Sequence, residues 1–219
     1  MAPILPAATV VLIREAASSP EVLMLRRSRE VSFAKGLWVF PGGKIDQADY
    51  RDNLEDITAA ARYAAIRETL EETRLTVEES SLVYLSHWTT PAGGPKRFAT
   101  WFFIAPIDSA IANEAVVVDG SEILEARWCH PAEALADYRA GLIDMLPPTL
   151  STLSELSGCE SVADALVTNS GQGPRKRLPQ FTLTAEGIEI SNPRSASLPV
   201  QDHTSYVLAE PWRLHDRES

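Results

Sequence analysis

The chain has 219 residues, which is enough for one large domain or for one domain with an extension. Its hydrophobic fraction of 45% and charged fraction of 23% are typical of a soluble globular protein. The 20 basic and 30 acidic residues give a net charge of −10, which disfavours binding to a nucleic-acid backbone. No segment approaches the roughly 18 apolar residues of a membrane span, and residues 1–8 lack the basic start of a secretory signal.

The two cysteines, Cys129 and Cys159, are not spaced as metal ligands. Free thiols are usual in a reducing compartment. We therefore expect two buried thiols rather than a disulfide, in a cytoplasmic protein.

The first 140 residues predict a mixture of strands and helices. Apolar runs rich in β-branched residues predict strands at 7–15, 22–27, 37–40, 82–88, 98–107 and 123–129. The third strand stops at Pro41-Gly42-Gly43, and the polar residues 44–55 predict a surface loop that shapes substrate access. Residues 57–73, rich in Ala and Glu, predict a helix, as do residues 131–140. This order is typical of an α+β fold with a mixed β-sheet.

The tail from Gly141 has a different pattern. It predicts helices at 149–156 and 162–167, a loop at 171–176 with the basic run Arg175-Lys176-Arg177, and a hairpin of strands 181–184 and 188–191. Few of its apolar residues are available for a second core. We therefore expect residues 1–140 to form the main domain and residues 141–219 to form a helical and hairpin extension packed on it.

Three carboxylates crowd one side of the predicted helix 57–73. At about 100° per residue, Glu68, Glu71 and Glu72 fall within an arc of roughly 100°. The opposite side, which we expect to pack on a sheet, carries Tyr63, Ile66 and Leu70. Like charges at this spacing repel, and a hard divalent cation would remove that cost because Mg²⁺ prefers oxygen ligands. The alternative interpretation is a solvated acidic helix face.

A glycine turn precedes this acidic helix. Gly42 and Gly43 follow directly on a predicted strand. Glycines permit a positive φ and a close approach of the backbone to a phosphate. We therefore expect Gly42 and Gly43 to contact a phosphorylated substrate.

With these residues the chain resembles the Nudix hydrolase family. The family signature is Gly, five residues, Glu, seven residues, Arg-Glu, an aliphatic residue, any residue, Glu-Glu, any residue, Gly and an aliphatic residue. Gly43 fits the first glycine, and Asp49 stands where the family has Glu. The second half of the signature is matched by Arg67, Glu68, Glu71, Glu72 and Leu75.

This chain departs from the signature in three ways. Seventeen residues rather than seven separate Asp49 from Arg67, which is an insertion of ten residues. Thr69 takes the aliphatic position, and Arg74 replaces the closing glycine that usually ends the helix in a left-handed conformation. None of the three changes removes a carboxylate of the helix.

The resemblance extends over most of residues 7–168, to a long-insert branch of the family that includes the peroxisomal coenzyme A diphosphatases. It is carried by the segments 23–28, 36–43, 87–91, 97–103, 125–128 and 146–149. It implies an α/β/α sandwich with a mixed sheet and an Mg²⁺-dependent enzyme, with Mn²⁺ as an alternative, that hydrolyses a phosphoanhydride bond. The implied partner is a small-molecule diphosphate, with neither nucleic acid nor membrane, and a homodimer is compatible with it.

The resemblance also implies roles for individual residues. Glu68, Glu71 and Glu72 would hold the metal together with the Gly43 carbonyl. The water that attacks phosphorus must lose a proton, and either Glu68 or Glu122 could accept it. Glu122 could equally be a surface acid of its loop. Arg67 would pair with Glu71 one turn further along the helix and position the cluster.

The substrate is less closely defined, and several side chains are candidates for binding it. Arg27 precedes the glycine turn and could reach the 3′-phosphate of coenzyme A together with Arg29 and Lys35. Trp88 could stack on a base, although packing in a core is the alternative for this residue. Arg97 ends the Pro91–Arg97 loop, which we expect to discriminate between substrates.

Coenzyme A or an acyl-coenzyme A is the first substrate hypothesis. Leu25 and Ser32 stand where the coenzyme A motif of that branch has Thr and Arg. Pro91 is similar to a proline marker of ADP-ribose pyrophosphatases, so ADP-ribose or a nucleotide sugar is the alternative substrate. A Nudix-fold module that binds nucleotides without hydrolysis is a different class of function. Such modules typically lose carboxylates of the signature, and this chain keeps them.

Overall fold

Alternating burial along the first strand divides the molecule into layers. The computed structural model describes residues 3–51, 53–90, 96–108, 116–118 and 120–170, and the backbone of residues 175–177, 180–184, 187–191 and 206–209. Its first strand, β1, spans Ile4–Arg14. Val10 and Leu12 face one side of the sheet and Val11 and Ile13 face the other, and all four are fully buried. Burial on both faces requires a covering layer on each side.

The main sheet is mixed. Its other strands are β2 (Glu21–Arg27), β3 (Trp38–Val39), β4 (Gly42–Lys44), β5 (Val83–Thr89), β6 (Arg97–Pro106), β7 (Ile123–Cys129) and β8 (Arg175–Arg177). Their order is β3-β2-β1-β6-β5-β8, with β4 beside β1 and β7 beside β2. Strand β1 pairs parallel with β6 and antiparallel with β2 and β4.

Helices cover both faces of this sheet. Helix α1 (Ile57–Thr73) packs on one face, while α2 (Pro131–Arg139), α3 (Pro147–Leu156) and α4 (Val162–Ser170) pack on the other. The predicted α+β class and the α/β/α sandwich are therefore confirmed. No helix in the described part of the chain is long and apolar enough to span a membrane.

The tail contains both confirmed and corrected elements. Strands β9 (Gln180–Thr184) and β10 (Gly187–Ser191) form the predicted antiparallel hairpin, and β11 (Tyr206–Ala209) adds a third strand to it. The basic run at Arg175–Arg177, predicted as a loop, is instead strand β8 and pairs parallel with β5. That pairing depends on a distant strand, so the local sequence does not reveal it.

The buried face of α1 differs from the predicted one. Leu70 is 45% exposed, and Tyr63 and Ile66 are only half-buried. The buried residues of this helix are Ala60, Ala61, Ala64, Ala65, Thr69, Glu72 and Thr73. Small side chains let the helix backbone approach the sheet closely, and each threonine hydroxyl donates a 2.6 Å hydrogen bond to the carbonyl one turn back. The expectation that the large apolar residues mark the inner face was therefore wrong for Tyr63 and Leu70, whereas Ile66 is partly buried against the core.

Both ends of α1 are closed by local hydrogen bonds. The Asp56 carboxylate accepts a 2.9 Å bond from the Ala59 amide at the N-terminus. At the C-terminus Arg74 has a φ of 62°, and its amide donates to the Leu70 carbonyl at 3.0 Å. Arg74 thus adopts the left-handed conformation that glycine usually takes, at a cost of about 1 kcal/mol.

The segment before α1 is more ordered than the predicted surface loop. Lys44 belongs to β4, Ile45 is buried, and a 3₁₀ helix spans Gln47–Tyr50. Asp49 in this short helix is only 5% exposed. From Ile57 onward the stretch between Asp49 and Arg67 belongs to α1, so this stretch is a loop only in part.

Candidate active site

The acidic end of α1 continues the face that the helix packs against the sheet. The alanines of this face lie in the first half of the helix, and one or two turns later the same face presents Glu68 and Glu72. The side chain of Glu68 is 17% exposed and that of Glu72 is 10% exposed. Glu71 points further outward, with 57% exposure. The structure thus brings two of the three predicted carboxylates under the edge of the sheet.

Strand β4 places backbone, rather than side chains, against these carboxylates. The Gly42 amide donates a 2.9 Å hydrogen bond to Glu72 Oε2. A Cβ atom at Gly43 would collide with the Glu68 carboxylate, and one at Gly42 would collide with the backbone of β1 at Ala8 and Thr9. Gly42 also has a φ of 155°, which favours glycine. Gly42 is therefore required by the close approach of the β1 backbone, and Gly43 by the close approach of the Glu68 carboxylate.

Arg67 ties the segment before α1 to the acidic face. Its Nε and Nη2 donate to the two carboxylate oxygens of Asp49 at 3.1 and 2.9 Å, and Nη2 also donates to the Lys44 carbonyl at 3.0 Å. Nη1 donates to Glu68 at 2.8 Å and to Glu71 at 3.4 Å. The predicted Arg67–Glu71 pair is therefore present, but the contacts with Asp49 and Glu68 are shorter. The family register across the insertion was the sequence signal that pointed to Asp49.

Arg27, at the end of β2, lies between Glu72 and Glu122. Its Nη1 is 3.6 Å from Glu72 Oε1, its Nη2 is 3.5 Å from Glu122 Oε2, and its Nε donates to the Phe33 carbonyl at 3.3 Å. The Ser28 amide donates to the Glu122 carbonyl at 2.7 Å, so the backbone holds the same loop. These contacts join segments that are distant in sequence, and no local pattern revealed them.

Burial and charge perturb the acidic groups of this site. Burial raises the pKa of Glu72 to about 8, although the Gly42 hydrogen bond and the Arg27 charge act in the opposite direction. The charges of Glu68 and Glu122 also raise the pKa of Glu72. Burial raises the pKa of Glu68 as well, against the hydrogen bond from Arg67. The hydrogen bond to Asp49 raises the pKa of Arg67.

The donor chemistry of this site fits a hard divalent cation. Glu68 and Glu72 offer carboxylate oxygens, which such cations prefer, in a buried position where negative charge is unfavourable. Gly43 lets the Glu68 carboxylate lie directly against the backbone of β4, where any side chain would displace it. Within the described residues, however, no three His, Cys, Asp or Glu side chains are gathered around one point in the arrangement of a metal site. The outward position of Glu71 accounts for the missing third carboxylate.

Two predicted substrate contacts lie away from this cluster. Trp88 is 4% exposed and packs in the core on the sheet face opposite α1, so its ring is not available for stacking on a base. Arg97 is buried at the start of β6, opposite Ile4, and its Nε donates to the Thr90 carbonyl at 3.1 Å. Both expectations are corrected, because core packing and a backbone hydrogen bond already engage these side chains. Pro91 lies outside the described residues.

Comparison with known proteins identifies the family. The chain matches the family model described as NUDIX domain over residues 3–147. A protein of Caenorhabditis elegans named nudix hydrolase 7 is 27% identical over an alignment of 171 positions, which covers 62% of this chain and 55% of that protein's length. An acyl-coenzyme A diphosphatase of Xenopus laevis is 25% identical over 266 aligned residues, covering 78% of this chain and 69% of the relative.

Solved structures show the same fold. The NUDIX hydrolase from Alicyclobacillus acidocaldarius superposes with a TM-score of 0.68 at 24% identity, over 78% of this chain and 98% of that one. The NUDIX domain of Shewanella oneidensis NrtR, solved with ADP ribose, has a TM-score of 0.51 at 19% identity, over 70% of this chain and 86% of that one. At these identities the likeness shows the fold alone, whereas the family model covers well over half of the chain. The chain therefore belongs to the Nudix family.

Proposed function

We propose that this chain is a pyrophosphohydrolase that uses a divalent cation to cut the phosphoanhydride bond of a nucleoside-diphosphate-linked compound. Mg²⁺ is the first candidate for the cation and Mn²⁺ is the alternative. One observation carries the proposal: Glu68 and Glu72 lie buried on one helix against strand β4, where the Gly42 amide donates to Glu72 and Gly43 allows the close approach of Glu68. Membership of the Nudix family supports it.

The residues of the site have distinct roles in this proposal. Glu68, Glu71, Glu72 and the Gly43 carbonyl would hold the cation. When bound, the cation would supply charge neutralisation at the diphosphate and lower the pKa of an attacking water. Glu68 or Glu122 would accept the proton of that water at a carboxylate oxygen. Arg67 would orient Glu68 through its 2.8 Å contact, while Asp49 holds Arg67 from the other side.

Coenzyme A or an acyl-coenzyme A is the proposed substrate, and ADP-ribose or a nucleotide sugar is the alternative. The relative from Xenopus laevis, named an acyl-coenzyme A diphosphatase, supports this order. Three acceptors already hold Arg27, so we assign the contact with a 3′-phosphate to Arg29 and Lys35 instead. Both side chains are exposed on the loop between β2 and β3.

The activity is tested with a set of diphosphate-linked nucleotides in the presence of Mg²⁺ or Mn²⁺. Turnover is read as phosphate released after phosphatase treatment. We expect cation-dependent hydrolysis that falls at least about 100-fold in Glu72→Gln and in Glu71→Gln, because an amide keeps the shape but not the charge that binds the cation. Glu78→Gln is the control, since Glu78 is an exposed glutamate just before the 3₁₀ helix Glu79–Ser81. Wild-type turnover in both site variants would contradict the proposal, and binding without turnover in the wild type would favour a nucleotide-binding module.

The substrate is tested by comparing kcat/KM for coenzyme A, its 3′-dephospho form and ADP-ribose. A charge-assisted contact with the 3′-phosphate is expected to favour coenzyme A over the dephospho form by about tenfold or more. The double variant Arg29→Gln, Lys35→Gln should lower that ratio. Equal kcat/KM values for coenzyme A and its dephospho form would contradict the proposed contact with the 3′-phosphate. A clear preference for ADP-ribose would reverse the proposed order of substrates.

A further inference from the structure

Strand β7 lies at an edge of the main sheet. Its neighbour β2 has two sides: β1 and β3 pair with the two ends of β2 along one side, and β7 pairs with it along the other, from Val22 to Arg27. Within the residues that the structure describes, no strand pairs with the outer side of β7. An edge strand of seven residues offers a row of backbone N–H and C=O groups to another strand.

The side chains of β7 alternate between the two faces of the sheet. Ala126 and Trp128 are partly buried against the core beneath α1, whereas Cys129 belongs to the core on the opposite face. The period of two residues therefore places Glu125 and Arg127 on the face opposite α1. At the start of the strand Leu124 is 46% exposed, although it is a large apolar residue. The edge thus carries one charged and one apolar row.

The order of charges along β7 favours one way of pairing with a second copy. In an antiparallel pair centred on Ala126, Glu125 lies opposite Arg127 of the second copy, and Leu124 lies opposite Trp128 of the second copy. Opposite charges and apolar side chains directly across a strand pair stabilise it, and like charges destabilise it. A pair centred on Glu125 or on Arg127 would bring two like charges together. The strand is therefore self-complementary in a single register about this centre.

The charged row retains capacity for a further partner. Glu125 Oε2 lies 3.3 Å from Arg26 Nε, and the Glu125 side chain is 47% exposed. Arg127 donates to Asp137 at 2.8 Å through Nη2, and its Nε has no hydrogen-bond partner in the described part of the chain. The same holds for the indole nitrogen of Trp128, and both atoms are buried. Most buried donors in folded proteins find an acceptor, so the unmatched donors are concentrated on the edge strand.

An irregularity limits how far such a pairing can extend. Arg26 pairs with Glu125 and Arg27 pairs with Ile123, which leaves Leu124 as the extra residue of β7. A bulge bends its strand and ends regular pairing. The self-complementary segment is therefore Leu124–Trp128, and an interface built on so short a segment belongs to the small, weak class.

We propose that two copies of this chain associate through antiparallel pairing of their β7 strands, centred on Ala126, so that the two main sheets become continuous. The occupant of the edge is a second copy because the charge order of β7 complements itself. Charges on an edge strand ordinarily prevent pairing, and here they oppose every register in which like charges meet. The association requires neither cation nor substrate, so it is independent of the proposed hydrolysis.

The first test is sedimentation velocity of the full chain without cation, at about 1 to 100 µM protein. We expect the sedimentation coefficient of the wild type to rise with concentration toward that of a dimer. Glu125→Arg should weaken the association at least about tenfold, because it places like charges opposite each other. Glu78→Arg makes the same change of charge at an exposed glutamate outside the strand and should associate like the wild type. Melting temperatures verify that both variants are folded.

The second test reports the register. In Ala126→Cys the two introduced thiols would lie directly across the strand pair, whereas the native thiols Cys129 and Cys159 are buried. With diamide as oxidant we expect a covalent dimer at least about tenfold faster than from Ala132→Cys, which places a thiol at an exposed position of α2. A wild type that stays monomeric at every concentration, association unchanged by Glu125→Arg, or equal rates of cross-linking in the two cysteine variants would each overturn the inference.

Discussion

Arg67 is the residue on which the candidate site depends most directly. Its guanidinium contacts two carboxylates of its own helix, Glu68 and Glu71, and the buried Asp49 of the preceding segment. Asp49 also accepts a 2.8 Å hydrogen bond from the Asp46 amide, which closes the 3₁₀ helix on itself. A charge that is buried with two good hydrogen bonds is sensitive to the loss of its partner. The Asp49–Arg67 pair should therefore contribute to stability as well as to the geometry of the site.

We expect Asp49→Asn to lower the free energy of unfolding by about 2 kcal/mol, because Arg67 loses a two-point ionic contact with a buried carboxylate. Denaturant unfolding measures the change. Asp46→Asn is the control: Asp46 is 67% exposed and 3.8 Å from Arg67, so its replacement should cost less than about 0.5 kcal/mol. Equal losses in the two variants would contradict the structural role of Asp49.

The two thiols are a second residue-scale case. Burial raises the pKa of Cys129 to about 11 and also raises the pKa of Cys159. A raised pKa keeps a thiol protonated, so at pH 8 only about one Cys129 in a thousand is ionised. We expect the native protein to react slowly with an aromatic disulfide reagent and both thiols to react at once in denaturant. Fast reaction of one thiol in the native state would contradict this expectation.

At the scale of elements, the site is made by the contact of α1 with β4. The helix presents carboxylates where its inner face passes the edge of the sheet, and β4 presents glycine backbone to them. The two glycines have different functions in this contact. Gly42 is required by the close approach to β1, whereas Gly43 is required by the carboxylate of Glu68. Substitutions at the two positions should therefore separate stability from activity.

We expect Gly43→Ala to lower kcat at least about tenfold with a small change in melting temperature, because the added methyl group displaces the end of a flexible side chain rather than backbone. Gly42→Ala should instead lower the stability of the fold. Gly158→Ala is the control, since an added Cβ there meets nothing within 4 Å. The test is to measure kcat and the melting temperature of all three variants. Full activity in Gly43→Ala would argue against a close contact of Gly43 with Glu68.

At the scale of the whole molecule, the extension completes the core of the main sheet. Leu150, Leu153 and Leu156 of α3 lie in the same buried cluster as the inner residues of β1 and β2. The Trp38 amide also donates to the Asp144 carbonyl at 2.9 Å, which connects β3 to the start of the extension. We propose that the folding unit extends at least to Ser170, beyond the end of the main domain that was predicted at residue 140.

We expect a chain that ends after Ala140 to lose cooperative unfolding. Its three missing leucines alone represent roughly 5–9 kcal/mol of burial, which is comparable with the whole stability of a typical domain. A chain that ends after Ser170 keeps the described core and should melt cooperatively. Circular dichroism melts of the two truncated chains test this, and a cooperative transition in the shorter one would show that the extension is dispensable for folding.

The sequence by itself determined the fold class, most elements of the main sheet and the resemblance to the family. Periodicity located α1 and most strands of the main sheet, because burial imposes a repeat of 3.6 or 2 residues on the chain. The spacing of Glu68, Glu71 and Glu72 indicated a common arc, because a helix has a fixed rise and turn. The short edge elements β4 and β8 escaped prediction, since their pairing depends on distant strands and not on local pattern.

Only the tertiary structure decided which face of α1 is buried and which side chains meet there. Alanine and threonine lie against the sheet because small residues permit close approach, whereas Leu70 stays exposed. Trp88 lies in the core rather than in the site, because its ring packs among the buried residues on the sheet face opposite α1. The contacts that link Asp49 to Arg67 and Arg27 to Glu122 span 18 and 95 residues. Such pairs depend on how the whole chain closes on itself, which the local order of residues does not specify.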